Sequence, residues 1–236
     1  MTSAAECDRV ESPQERVPPL VRRLVARLLG TPGGLLAADF PTDCPAEFIP
    51  IAAVPLDGHL VGIVRHPGLP WVDPPLASFE PESLVATYFG ADARRGAGVL
   101  LGVLLADALP AHRAAVEAVA DEFGFDPAQL PSELPLGVLP RVPPGWRLAP
   151  TDDGLGVLAP SAQFAGEQLF HDETTPSLDA DAAVTESASA LSRGYPATAL
   201  WLLRNAAVYA EPVERAQLLD RMTACHDAIA SAARTR

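Results

Sequence analysis

The stretch Phe48-Ile49-Pro50-Ile51-Ala52-Ala53-Val54, followed after Leu56-Asp57-Gly58-His59 by Leu60-Val61-Gly62-Ile63-Val64-Arg65, decides the fold. Both pieces are short, apolar and rich in branched side chains. The Asp57-Gly58 pair between them is a turn signal, so together they predict a β-hairpin. Trp71-Val72 reads as a further short strand, which makes residues 35–72 a small meander punctuated by Pro, Gly and Asp. A sheet of this size needs helices packed on it, and the expected class is therefore α+β.

Helical periodicity appears on both sides of the meander. Before it, Pro18 and Pro19 open a helix whose Val21, Leu24, Val25 and Leu28 follow the i, i+3, i+4, i+7 spacing, and Gly30 stops it. Arg22, Arg23 and Arg27 flank that stripe as solvated charges on a helix docked by its apolar face. After the meander, Ser78 or a close neighbour is expected to cap a helix through Leu84, Val85 and Tyr88. The run Val99 to Leu109 has no polar face to set a period, so it fits a buried helix or a buried strand equally. Ala111 to Phe123 reads as a helix with Val116, Val119, Ala120 and Phe123 inward. Residues 125–150 hold seven of the chain's 25 prolines and read as a wrapping connection or a string of edge strands.

The last sixty residues are predicted as three helices, about 179–193, 196–210 and 212–232, with Pro196 and Pro212 in first turns. In the last of them Leu218, Met222, Cys225 and Ile229 form a narrow apolar seam. The expected organisation is an α+β domain over 1–150, an acidic linker over 151–178 and C-terminal helices over 179–236, as an antiparallel hairpin or three-helix segment. No Lys or Arg occurs between Arg147 and Arg193, whereas Asp152, Asp153, Glu167, Asp172, Glu173, Asp179, Asp181 and Glu186 are all acidic. These acids read either as a solvated approach to a helix whose first turn complements its dipole, or as a surface for a basic partner. Asp172, Glu173, Asp179 and Asp181 are the candidate partner-binding acids. Trp201 joins them, because it stands opposite the Leu200, Leu203 and Ala207 face of its helix and Trp is enriched at binding hot spots.

Composition narrows the function classes. The net charge of −13 opposes binding to nucleic acid phosphates and to anionic membranes, and it favours a basic protein partner. All 17 basic residues are Arg, which with the excess of Ala and Pro is a habit of GC-rich bacterial genomes. Cys7, Cys44 and Cys225 are odd in number and widely spaced, giving neither a disulfide framework nor a metal motif. Residues 1–6 lack the charged and apolar pattern of a secretory signal, and the longest apolar run, 97–106, is far below the roughly 20 residues that span a bilayer. A cytoplasmic protein is expected.

Two local resemblances add to this reading. The segments Glu47 to Ile51, Asp57 to Ile63, Trp71-Val72 and Leu76 to Phe79 resemble the last strands and closing helix of the SUKH superfamily, which includes many bacterial toxin-immunity proteins. That resemblance implies neutralisation of a toxin by binding, without catalysis. The turn Gly194-Tyr195-Pro196-Ala197-Thr198-Ala199, continued by Leu203 and Ala206, resembles a degenerate tetratricopeptide repeat over residues 183–212. A single such unit needs a neighbour to bury its apolar face.

Catalytic and metal motifs are sparse. His59, His66, His112, His171 and His226 form no paired zinc motif, and His171-Asp172-Glu173 reads as a solvated cluster. No nucleophile elbow is present, and the absence of Lys excludes a P-loop. No cofactor and no metal are expected. The expected function is a non-catalytic protein-binding module, of immunity or adaptor type, acting on a basic protein such as a toxin. The alternatives are a hydrolase-like enzyme with a cryptic site at Cys44, Asp57 and His59, with His66 as the other base available to Cys44, and a structural protein that forms a homodimer through the seam around Leu218 and Met222.

Overall fold

The computed structural model describes residues 17–37, 44–55, 58–69, 73–135, 137–166 and 179–234. Helix α1, Pro19–Leu29, buries Val21, Leu24, Val25 and Leu28, and the Gly30 amide closes it on the Arg27 and Leu28 carbonyls. The apolar periodicity and the prolines in the sequence are sufficient cause for this element.

Four strands follow as an antiparallel meander in the order β1 (Phe48–Ala53), β2 (Leu60–Val64), β3 (Leu76–Glu80) and β4 (Val85–Tyr88). Ile49 lies opposite Ile63, Leu60 opposite Phe79 and Ala77 opposite Tyr88. Pro50, which has no amide to donate, sits in β1 next to a register shift between Pro50 and Ala52. Trp71-Val72, expected as a strand, lies outside the described residues. The helix expected from Ser78 through Tyr88 is instead the β3–β4 hairpin. Leu84 takes a φ of +59° at the turn, and its amide donates to the Glu80 carbonyl at 2.8 Å. Pairing wins there because β2 is buried along its whole length, so its second edge would otherwise be left without hydrogen bonds.

The two faces of the sheet pack against different layers. Ala52, Val61, Ile63 and Leu76 join α1, α2 (Ala93–Asp107) and α3 (Pro110–Glu122) in one apolar core. Phe48, Leu60, Val64, Ala77, Phe79 and Tyr88 face the other way and meet Leu155. The run that sequence left open between helix and strand is therefore α2, capped by the Asp92 carboxylate on the Arg95 amide. Its glycines let neighbours approach: a Cβ at Gly102 would lie 2.0 Å from the Pro131 carbonyl oxygen.

The proline-rich connection returns along this core, with Phe125, Leu130 and Leu134 against it, and leads to β5 (Trp146–Ala149), which pairs with β6 (Val157–Pro160). The boundary expected at 150 falls inside this hairpin. Residues 151–166, expected as linker, comprise its turn, β6 and the Ser161–Gln163 turn of 3-10 helix. Helices α4 (Ala180–Ser192), α5 (Pro196–Tyr209) and α6 (Pro212–Arg234) follow, and they enclose a third apolar core with Val157 and Ala159. The predicted seam Leu218, Met222, Cys225 and Ile229 is buried within it. Among the described residues no helix is long and apolar enough to cross a membrane.

The substitution Gly102→Ala separates helix propensity from packing. Propensity alone favours Ala by about 1 kcal/mol, but overpacking against Pro131 costs about 1–3 kcal/mol. We expect thermal denaturation to show a lower Tm, and an unchanged or raised Tm would contradict the packing of residue 131 on α2.

Candidate functional site

Arg204 sits in the middle of α5 among Leu200, Leu203 and Ala207, and its side chain is only 1% exposed. A guanidinium in that position must have every donor answered. Nε donates to Asp153 Oδ2 at 2.8 Å, and Nη2 donates to Oδ1 at 2.7 Å and Oδ2 at 2.6 Å. Nη1 donates to the Gly156 carbonyl at 2.8 Å and to Glu47 Oε1 at 3.2 Å. Asp153 is fixed in turn by the Thr151 hydroxyl and the Leu155 amide, and its own carbonyl accepts from the Ala86 amide of β4.

Glu47, immediately before β1, extends the cluster to α6, where His226 Nε2 lies 2.8 Å from Glu47 Oε1. Burial by itself would raise the Glu47 carboxyl, but Arg204 and then His226 outweigh it and hold that group far below the usual carboxylate range. Burial works against the Arg204 charge in the same way, and Asp153 and Glu47 more than restore it, so the guanidinium stays charged.

His66, two residues past the end of β2, completes the group. The Tyr88 hydroxyl donates to the Leu155 carbonyl at 2.8 Å, so it accepts from His66 Nε2, 2.9 Å away. That assigns the proton to Nε2 and leaves Nδ1 as a bare acceptor. Nδ1 and Glu47 Oε2 are both buried without a hydrogen-bond partner. Burial, opposed by Glu47 and reinforced by Arg204, lowers His66 from 6.5 to about 4. Cys225 lies near the same carboxylate, and burial followed by Glu47 pushes its thiol up to about 11, which makes it a packing residue rather than a nucleophile.

Two concavities flank this cluster. A groove of about 330 Å³ is lined by His66 together with Arg65, Asp73, Asp92 and Arg141. Asp92 is occupied there by Arg141 at 3.2 Å and by the α2 amides, and Asp73 accepts from the Ala93 amide. A smaller pocket of about 120 Å³ lies between Glu47, Gly68 and His226. Among the described residues no set of three or more His, Cys, Asp or Glu is placed to hold a metal ion.

The residues singled out from sequence lie elsewhere. Trp201 is buried, and its indole donates to the Pro150 carbonyl at 2.7 Å, so it joins α5 to the β5–β6 hairpin instead of facing a partner. Asp179 caps α4 through the Ala182 amide, and Asp181 is exposed in the same first turn. Asp172, Glu173 and Asp57 lie outside the described residues. His59 faces Glu80 at 3.6 Å, and Cys44 packs against the Phe48 and Phe79 face of the sheet. Sequence reasoning missed Arg204 and its partners. The available signal was an Arg four residues after Leu200, on the apolar stripe of an otherwise uncharged helix.

Two predictions follow from the cluster. Arg204→Met leaves Asp153 and Glu47 buried and uncompensated, with an expected loss of about 3–5 kcal/mol in denaturant unfolding. Adding Asp153→Asn and Glu47→Gln is expected to recover a large part of that loss; no recovery would mean that volume, and not charge, holds the interface. The second concerns pH. The unfolded chain takes up a proton at His66 below about 6.5, whereas the folded chain does so only near 4. Stability contributed by neutral His66 is thus complete above 6.5 and declines between 6.5 and 4, by roughly 3 kcal/mol. Glu47, with its carboxyl depressed, adds a further loss below the ordinary carboxylate range. A flat stability profile from pH 7 to 4 would contradict the burial of His66.

No family model matches this chain, and neither the curated proteins nor the solved structures include one significantly similar to it.

Proposed function

We propose that this chain is a non-catalytic protein-binding module, of immunity type, that engages a basic protein such as a toxin. One observation carries the reading: Arg204, Asp153 and Glu47 Oε1 are spent on each other and on holding α5 and α6 to the sheet. Arg204 and Asp153 have no coordination left for a substrate, and Cys225 is held as a thiol. A general acid or base needs an accessible proton path to substrate. The full chain instead carries a net charge of −13. A basic partner gains long-range attraction from that field.

Leu218 and Met222 of the α6 seam are buried inside the chain, which favours a monomer as the acting unit. Light scattering after size exclusion is expected to give a monomer at moderate and at high salt. Affinity capture is expected to retain basic proteins at moderate salt and release them at high salt. A salt-resistant dimer would move the reading to a self-associating protein. Turnover of ester or amide substrates that Cys44→Ala or His59→Ala abolishes would replace it with a hydrolase.

A further inference from the structure

The corner where α5 turns into α6 sets exposed apolar side chains among exposed carboxylates. Tyr209 and Val213 are 63% and 73% exposed, although both sit in helices whose other large apolar residues are mostly covered. Around them Asp152, Glu211 and Glu214 are exposed, and Asp152 hydrogen-bonds the Tyr209 hydroxyl. The one cation of this turn, Arg215, is committed to the end of α5, donating to the Ala207 carbonyl at 3.0 Å and the Ala210 carbonyl at 2.8 Å. Between α5, α6 and the β3–β4 turn lies only a small depression of about 20 Å³, where Leu84, Val208 and Leu219 meet Asp153, Arg204 and Arg215.

We propose that this corner is the docking surface for a basic partner segment, with an apolar side chain seated by Tyr209 and Val213 and flanking Arg or Lys residues against Asp152, Glu211 and Glu214. The assignment rests on the binding-module reading above and gives it a location. Charge complementarity selects the occupant. A second copy of this chain carries the same acidic corner and is repelled by it, an acidic peptide is repelled likewise, and an uncharged apolar segment gains nothing from the three carboxylates. Tyr supplies a large contact area at low entropic cost, which makes an exposed Tyr an effective anchor.

The probe is a short amphipathic helical peptide of Leu, Ala and Lys with a photo-crosslinking side chain on its apolar face, and the control is a copy with Glu in place of every Lys. Binding is read by fluorescence anisotropy on the full chain at low and moderate salt. Tyr209→Ala with Val213→Ser is expected to weaken binding by at least about tenfold, the loss of one good hot spot. Crosslinks are expected within residues 208–219. Both positions are exposed, so circular dichroism should show an unchanged fold. Binding of the Glu copy with equal strength would overturn the charge argument. Full binding to the corner variant, with loss on Asp179→Asn and Asp181→Asn, would overturn this surface while leaving the chain a binding module. No binding of the Lys peptide at low salt would overturn both proposals.

Discussion

The guanidinium of Arg204 is the point through which the C-terminal helices and the sheet are held in register. Taking an arginine out of water costs several kcal/mol even after relaxation, and only close, multiple pairing offsets it. Here the pairing comes from two separate parts of the chain: Asp153 and Gly156 in the β5–β6 turn, and Glu47 immediately before β1. His226 brings α6 to the same carboxylate. A shift of any one of these elements by an ångström or two would strand a buried charge, so the cluster fixes their relative position far more sharply than apolar contacts alone. Apolar packing supplies the bulk of the stability, and the polar cluster supplies the specificity of docking.

That arrangement explains why the central sheet carries apolar residues on both sides. One face is served by α1, α2 and α3, the other by the β5–β6 hairpin and the C-terminal helices. The glycine-rich α2 belongs to the first layer, where Leu76 and Pro131 approach its backbone directly. Tyr88 belongs to the second, and its hydroxyl finds the Leu155 carbonyl, so even the polar tip of that side chain ties β4 to the hairpin. The polar groups of the cluster thus tie the second layer to the sheet.

Much of the helical structure was legible because proline and apolar spacing speak locally. Pro19, Pro196 and Pro212 open α1, α5 and α6, and the burial of Leu218, Met222, Cys225 and Ile229 follows from their spacing. The β1–β2 hairpin was equally plain from its composition. Where local signals conflicted, neighbours decided. Leu84, Val85 and Tyr88 satisfy a helical spacing as well as a strand, and the free edge of β3 chose the strand. Val99 to Leu109 has no polar face, and the helices and loop enclosing it chose the helix. Trp201 looked available because it lies off the main stripe of α5, yet the β5–β6 hairpin covers that side too.

By itself, then, the sequence determined the α+β class, the positions of most helices, the acidity that directs the search toward basic partners, and the absence of familiar catalytic motifs. Tertiary structure alone decided that Glu47, His66, Tyr88, Asp153, Arg204 and His226 form one cluster, and that Tyr209 and Val213 remain outside every core. The physical reason is range. Periodicity and turn chemistry act over a few residues, whereas a buried charge is stabilised by groups that may be 157 positions apart in the chain, as Glu47 and Arg204 are, and no local pattern encodes which of them will meet.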